Sequence, residues 1–318
     1  MRPDPLLHDI DLPLRATFHP MGFRVDLSSN SPRAIEAAEE SWGDLRPEFD
    51  RPPISVRVVV CPDGAAADAF PVYRSQGRLF SIVYDRDNFA AFESTSMSGY
   101  CLVSQKTVEA RNRFRVYFLE AMVYMLMAQR YAIGLHGACV ARNGAGVLLC
   151  GASGAGKSTL AFACARAGWE FLSDDATWLV PDAGPRVAVG KLKQARFRAD
   201  APRLFPELAR YPVAAHPSGK MGIEAPLADF PEIRVASRCT IERLVHLDRR
   251  TGMSARVVPV SSAEAVTSLL LDLPSYGEDV NEWYERSVRQ LEAVPAYCLE
   301  YESLEDAVQA VSELLPIQ

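Results

Sequence analysis

The spacing of apolar positions changes several times along the chain, and each change marks an element. Residues 13–27, PLRATFHPMGFRVDL, alternate apolar and polar positions on either side of a turn and predict two short strands. SNSPRAIEAAEESWGDL follows as a helix, with Ser31 placed to cap it and Pro32 at its first position. ISVRVVV at 54–60 alternates as a strand does, and residues 79–104 hold further short strands, LFSIVYD and GYCLVS among them. A helix is expected from about 110 to 131. Its greasy part, FRVYFLEAMVYMLMAQ, contains Arg115 and Glu120 and falls short of the ~20 apolar residues that cross a bilayer, so it predicts a buried helix and no membrane partner.

Beyond residue 131 the apolar runs become denser. GLHGACVAR (134–142) and GVLLC (146–150) predict strands joined by the turn Asn143-Gly144. GASGAGKSTL (151–160) interrupts them. The helical stretch KSTLAFACARAG comes next and stops at Gly168, and WEFLSDDATWLV resumes as strand. Strands are expected again near 187–198 and 240–248. Ser261 with Glu264 forms a capping box for a helix to about 272, a second helix covers about 279–292, YCLEY is a strand, and Ser303 opens a last helix. The class is α/β (α+β). The expected division is 1–130, a mixed α/β domain without a readable motif, and 131–318, the domain that carries the glycine loop.

Bulk properties narrow the function. A net charge of −6 argues against a general nucleic-acid binder, which carries a basic surplus. Aspartates and prolines interrupt the first fourteen residues where an export signal would be apolar. The seven cysteines are odd in number and form no CxxC pair, which predicts reduced thiols in a cytoplasmic protein.

The candidate chemistry lies in residues 134–180. Gly151, Gly156, Lys157 and Ser158 satisfy G-x-x-x-x-G-K-S/T between a strand and a helix. Glycines let successive amides turn toward a bound phosphate, and the helix start adds its positive end. Lys157 neutralises β/γ charge and the Ser158 hydroxyl ligates magnesium, so ATP and Mg²⁺ are the expected cofactors. Asp174 and Asp175 follow at the end of the very next strand, earlier than the acidic strand of many motor ATPases. Side chains alternate along a strand, so the pair is expected to split its work. One carboxylate reaches the metal or an accepting hydroxyl and the other braces the loop, as phosphoryl transfer requires. His136 lies on or before a strand expected to neighbour the loop's strand, with Gly134 and Gly137 pointing to close backbone approach. His8, His19, His216 and His246 show no ligand spacing. The basic run KLKQARFRADAPRLFPELAR (191–210) is expected near the same site, set to hold a phosphoryl group or an acidic acceptor.

Together, the histidine-glycine strand, GASGAGKST, the helix ending ARAGW and the doublet SDDA resemble the C-terminal domain of HPr kinase/phosphorylase, whose core is similar to that of ATP-dependent phosphoenolpyruvate carboxykinase. The resemblance implies a serine kinase. Gly151, Ser153, Gly154, Ala155, Gly156, Lys157, Ser158 and Thr159 would hold the ATP phosphates. Asp175 would be the general base, with Asp174 supporting it and His136 close by. Ser158, Asp174 and Glu224 would face magnesium, and Lys220 would reach phosphate. At Ala152 the chain lacks the acidic residue usual in that family's loop. Relatives in peptide-biosynthesis clusters phosphorylate a serine at a peptide's end, so a protein or peptide serine hydroxyl is the expected acceptor, and a homo-oligomer is left open. The rivals are a nucleotide-binding regulator with weak ATPase activity and a carboxykinase-like enzyme.

Overall fold

The computed structural model describes residues 10–67, 70–215 and 221–315. The chain divides into two compact units, 1–130 and 131–318, each described by itself.

In the first unit, β1 (Leu14–Phe18) and β2 (Val25–Ser29) flank a short turn, and α1 (Pro32–Trp42) follows Ser31 as its N-cap. β3 (Ile54–Cys61), β4 (Val72–Gln76), β5 (Leu79–Val83), β6 (Phe89–Glu93) and β7 (Ser98–Ser104) complete a seven-stranded sheet of order β1-β2-β3-β7-β6-β5-β4. Then come α2 (Gln105–Glu109) and α3 (Arg111–Phe114), a π-helical stretch at Arg115–Glu120, and α4 (Ala121–Arg130). The helix expected as continuous from 110 to 131 thus widens in its middle. The buried Arg115 guanidinium and Glu120 carboxylate pair there at 3.0 Å, and Ser41 donates to Glu120 at 3.0 Å. A buried charge needs such partners. One face of the sheet is the core: Leu27, Val56, Phe92 and Phe80 are buried beneath the helices. The opposite face carries the polar alternates.

The second unit is built on a ten-stranded mixed sheet. β8 (Ile133–His136) and β9 (Ala138–Arg142) are separated at Gly137, so the apolar run expected as one strand is two. β10 (Ala145–Cys150) leads into the glycine loop and α5 (Lys157–Arg166). Gly168 and Trp169 donate back to Ala165 and Cys164 at 3.1 Å each, a Schellman ending. WEFLSDDATWLV is likewise two strands, β11 (Glu170–Ser173) and β12 (Ala176–Leu179), broken at the acid doublet. β13 (Val187–Val189) rejoins the sheet, whereas β14 (Gln194–Arg198), β15 (Val213–Ala215) and β16 (Met221–Pro226) form a separate three-stranded sheet. β17 (Arg234–Val235), the long β18 (Arg238–Arg249), β19 (Arg256–Val260), α6 (Ser262–Leu271), α7 (Glu278–Val288), β20 (Ala296–Tyr301) and α8 (Leu304–Leu314) finish the unit.

The strand order is β17-β11-β9-β10-β18-β13-β12-β8, with β20 on β18 and β19 on β20. Strands joined by only one or two residues, β8 to β9 and β11 to β12, lie far apart in that order. The sheet therefore curls until its β12/β8 end returns to β9 and β11. Both of its faces are buried. Ala138, Val140, Val147 and Leu149 pack with α5 and α8, while Cys139, Ala141 and Leu148 pack with α6 and α7. That double burial is why β9 and β10 read as unbroken apolar runs. The seven cysteines are free thiols. Among the described residues no helix is long and apolar enough to cross a membrane.

Candidate active site

Register places two loops at one end of the sheet. β10 and β11 both run antiparallel to β9, so they are parallel to each other. Leu148 of β10 and Ser173 of β11 both face Cys139, about 10 Å apart across two strand spacings. The loops that leave their carboxyl ends, 151–156 and 174–175, emerge side by side, the usual position of a ligand site in such sheets.

The first loop turns on glycines. Gly151, Gly154 and Gly156 have φ of 140°, 94° and 98°. At Gly156 any side chain would also strike the Tyr301 hydroxyl. That hydroxyl donates to the Ala155 carbonyl at 2.8 Å, so β20 braces the loop. The Ala155 amide donates to the Ala152 carbonyl at 3.0 Å. Lys157 is buried and its Nζ donates to the carbonyls of Gly151 at 2.7 Å and Ala152 at 3.3 Å. Ser158 and Thr159 sit in the first turn of α5, where backbone amides lack intrahelical partners. Ala152, Ser153 and Gly154 are exposed. Tyr301→Phe should keep the fold and weaken nucleotide binding about fivefold, the worth of one neutral hydrogen bond; isothermal titration calorimetry checks it.

The doublet occupies a pinned turn. Ser173 and Thr177 hydroxyls meet at 2.6 Å, and Thr177 donates to the Gly137 carbonyl at 2.8 Å. Gly137 itself lies against Leu148 and the Leu149 carbonyl, where a β-carbon would stand only 3.0 and 3.1 Å from them. Within this turn the two acids have different surroundings. Asp174 is buried and accepts the Arg196 backbone N–H at 2.5 Å. Burial pushes its carboxyl up to about 6, against the lowering effect of that hydrogen bond and of the Arg196 charge, and Asp175 adds to the rise. Asp175 has a side chain 71% exposed and faces His136 Nε2 at 3.7 Å. His136 Nδ1 lies 3.5 Å from Asp272, the residue that ends α6. His136 belongs to β8, which pairs with β12; the strand beside β10 is β9. The histidine reaches the doublet by direct pairing, since His136 stands opposite Ala176, the residue after Asp175.

The raised Asp174 pKa carries a sign. Between about pH 4 and 6 the folded chain holds a proton that the unfolded chain has released, so this group lowers stability as pH rises. Asp174→Asn should be close to neutral in stability near pH 4. Its advantage should grow toward pH 7, by about 3 kcal/mol at most, with Asp175, Arg196 and Glu224 unchanged around it. Thermal unfolding with a chelator present checks this, and a pH-independent difference would contradict it.

The β14 strand supplies what the sequence pattern did not single out. Ala195 and Phe197 point into the core, so Arg196 and Arg198 share the other face. Arg196 Nε donates to Glu224 on β16 at 2.9 Å, which links Glu224 to Asp174 through one residue. The Arg198 guanidinium covers Gly154, 3.2 Å from the point where a β-carbon would stand, and no described residue pairs with it. An unpaired cation over a glycine loop at a helix start fits an anionic ligand. The Q-A-R-F-R alternation within the basic run held this signal. Lys220 and His216 lie outside the described residues, as does His8. Among the described residues no cluster of three His, Cys, Asp or Glu is arranged to hold a metal.

A family model described as "SynChlorMet cassette protein ScmC" matches residues 100–190, which include the glycine loop and the doublet. No curated protein matches the chain. Among solved structures the chain is similar to the Hpr(Ser) kinase/phosphatase from Coxiella burnetii, with 12% identity over 57% of this chain and 96% of that one, at a TM-score of 0.29.

Proposed function

We propose that the second unit, 131–318, is an ATP-dependent phosphotransferase that moves the γ-phosphoryl group to a serine-type hydroxyl of a protein or peptide. The observation that carries this reading is the shared register of Leu148 and Ser173, which brings the glycine loop and an accessible carboxylate side by side.

In this reading the amides of 151–156 and the start of α5 receive the triphosphate tail. Lys157 and Arg198 offset its charge. Magnesium would be held by Ser158 and the doublet carboxylates, with Glu224 tied to Arg196 behind them, and would supply neutralisation of the charge on the triphosphate. Asp175 accepts the proton of the acceptor hydroxyl as its oxygen bonds to the γ-phosphorus. The bond from that phosphorus to the β–γ bridging oxygen breaks, and ADP leaves with the electron pair. His136 keeps Asp175 aimed. Asp174, buried and tied to the Arg196 amide, fixes the turn that carries Asp175.

The test is incubation with γ-labelled ATP and magnesium against an HPr-like protein, peptides ending in serine, and a cell extract. Label on a serine oxygen of one acceptor supports the reading. Steady release of inorganic phosphate with no labelled acceptor favours a nucleotide-driven regulator instead.

A further inference from the structure

The polar face of the first unit's sheet is unassigned by the phosphotransferase reading. Following the register across it, Arg15 of β1 faces Ser28 of β2, Ser28 faces Arg57 of β3, and Arg57 faces Tyr100 of β7. The row continues through β6 and β5 to Arg74 of β4. Residues directly opposite share a face, so the three arginines lie on one side. Arg15 and Arg57 line a common hollow of about 730 Å³.

The hollow is lined by Arg15, Arg24 and Arg57 and by Asp11 and Asp26, which leaves one positive charge in excess there. Asp26 receives Arg24 at 3.0 Å and the Thr17 hydroxyl at 2.9 Å. Glu93 accepts the amides of Thr95 and Ser96 at 2.7 Å each, and those bonds hold its carboxyl down at about 2. Arg15, Arg57 and Arg74 are exposed, and among the described residues none has a partner. In a chain of net charge −6, an unpaired cationic row is a local excess. Its dimensions discriminate between ligands. Arg15 and Arg57 are about 10 Å apart, and Arg15 to Arg74 spans about 29 Å over six strand spacings. A small anion would reach at most Arg15 and Arg57 and leave Arg74 without a ligand. An extended chain of about nine residues meets all three.

We propose that this sheet face binds an extended acidic polypeptide segment, with Arg15 and Arg57 as its principal anchors. The binding requires no nucleotide, so it stands or falls apart from phosphoryl transfer.

The test is fluorescence anisotropy with a labelled peptide of about nine residues alternating glutamate and serine, against its glutamine counterpart, using the full chain without ATP at low salt. The glutamate peptide should bind, the glutamine peptide should not, and added salt should weaken binding. Arg15→Gln with Arg57→Gln should reduce affinity about tenfold. Arg57→Lys should retain it, and this variant also serves if the double one folds poorly. Charge reversal of the exposed Arg46, which lies beyond α1, should leave it unchanged. Equal affinity for the two peptides, unaltered affinity in the double variant, or tighter binding of a single-stranded oligonucleotide through the same arginines overturns the proposal.

Discussion

Asp175→Asn is expected to lower the rate of phosphoryl transfer by about 10²–10⁴, the usual worth of a positioned general base, while leaving nucleotide affinity within about twofold. The asymmetry follows from where Asp175 stands. Its side chain is largely exposed and faces His136 at 3.7 Å, away from the hydrogen bonds that brace the glycine loop. Asparagine fills the same space and cannot take a proton. Single-turnover transfer and equilibrium ATP titration on the same variant separate the two quantities. Full transfer activity in Asp175→Asn contradicts the assignment of the base. The neighbouring residue should behave differently. Asp174→Asn keeps an acceptor for the Arg196 amide, so its chief signature is the pH dependence of stability, with a smaller loss of rate through the turn.

Lys157→Ala is expected to act on the nucleotide itself. Lys157 is buried beneath the loop and bonds the carbonyls of Gly151 and Ala152, which places its ammonium at the root of the glycine loop. On the proposed phosphotransferase reading, removing it takes away a charge that offsets the phosphates, so ATP affinity should fall at least about tenfold and transfer by about 10²–10³. ATP should lose more than AMP, because only the longer tail reaches that depth. Calorimetric titration of ATP, ADP and AMP checks the order. Unchanged ATP affinity would remove the cradle from the account. Thermal unfolding should accompany it, since the variant leaves two loop carbonyls without their lysine partner.

Local patterns carried much of the site, and distant packing carried the rest. The glycine loop could be read directly, because strand, glycines, Lys157 and helix are consecutive. The ends of α6 and α8 were legible for the same reason: Ser261 and Ser303 accept from Glu264 and Asp306 as capping residues should. The division of labour in the doublet was less accessible. Alternation suggested that Asp174 and Asp175 diverge, but the burial of Asp174 depends on the amide of Arg196, twenty-two residues on. His136 was expected on or before a strand that neighbours the loop's strand, and it ends β8, just before β9, which pairs with β10. Gly137 breaks the run there, and the direct pairing of β8 with β12 sets His136 opposite Ala176, beside Asp175. Tyr301 had no local mark at all. It ends an ordinary strand, and only the pairing of β20 with β18 carries its hydroxyl to Ala155.

The central claim is that the loop at 151–156 and the turn at 173–177 enclose one ligand. Amide hydrogen exchange, compared with and without magnesium and a non-hydrolysable ATP analogue, tests it most directly. The account predicts slowed exchange in both segments, 151–159 and 173–177, on addition of the nucleotide. Protection of the first with none in the second, or of neither, would contradict it.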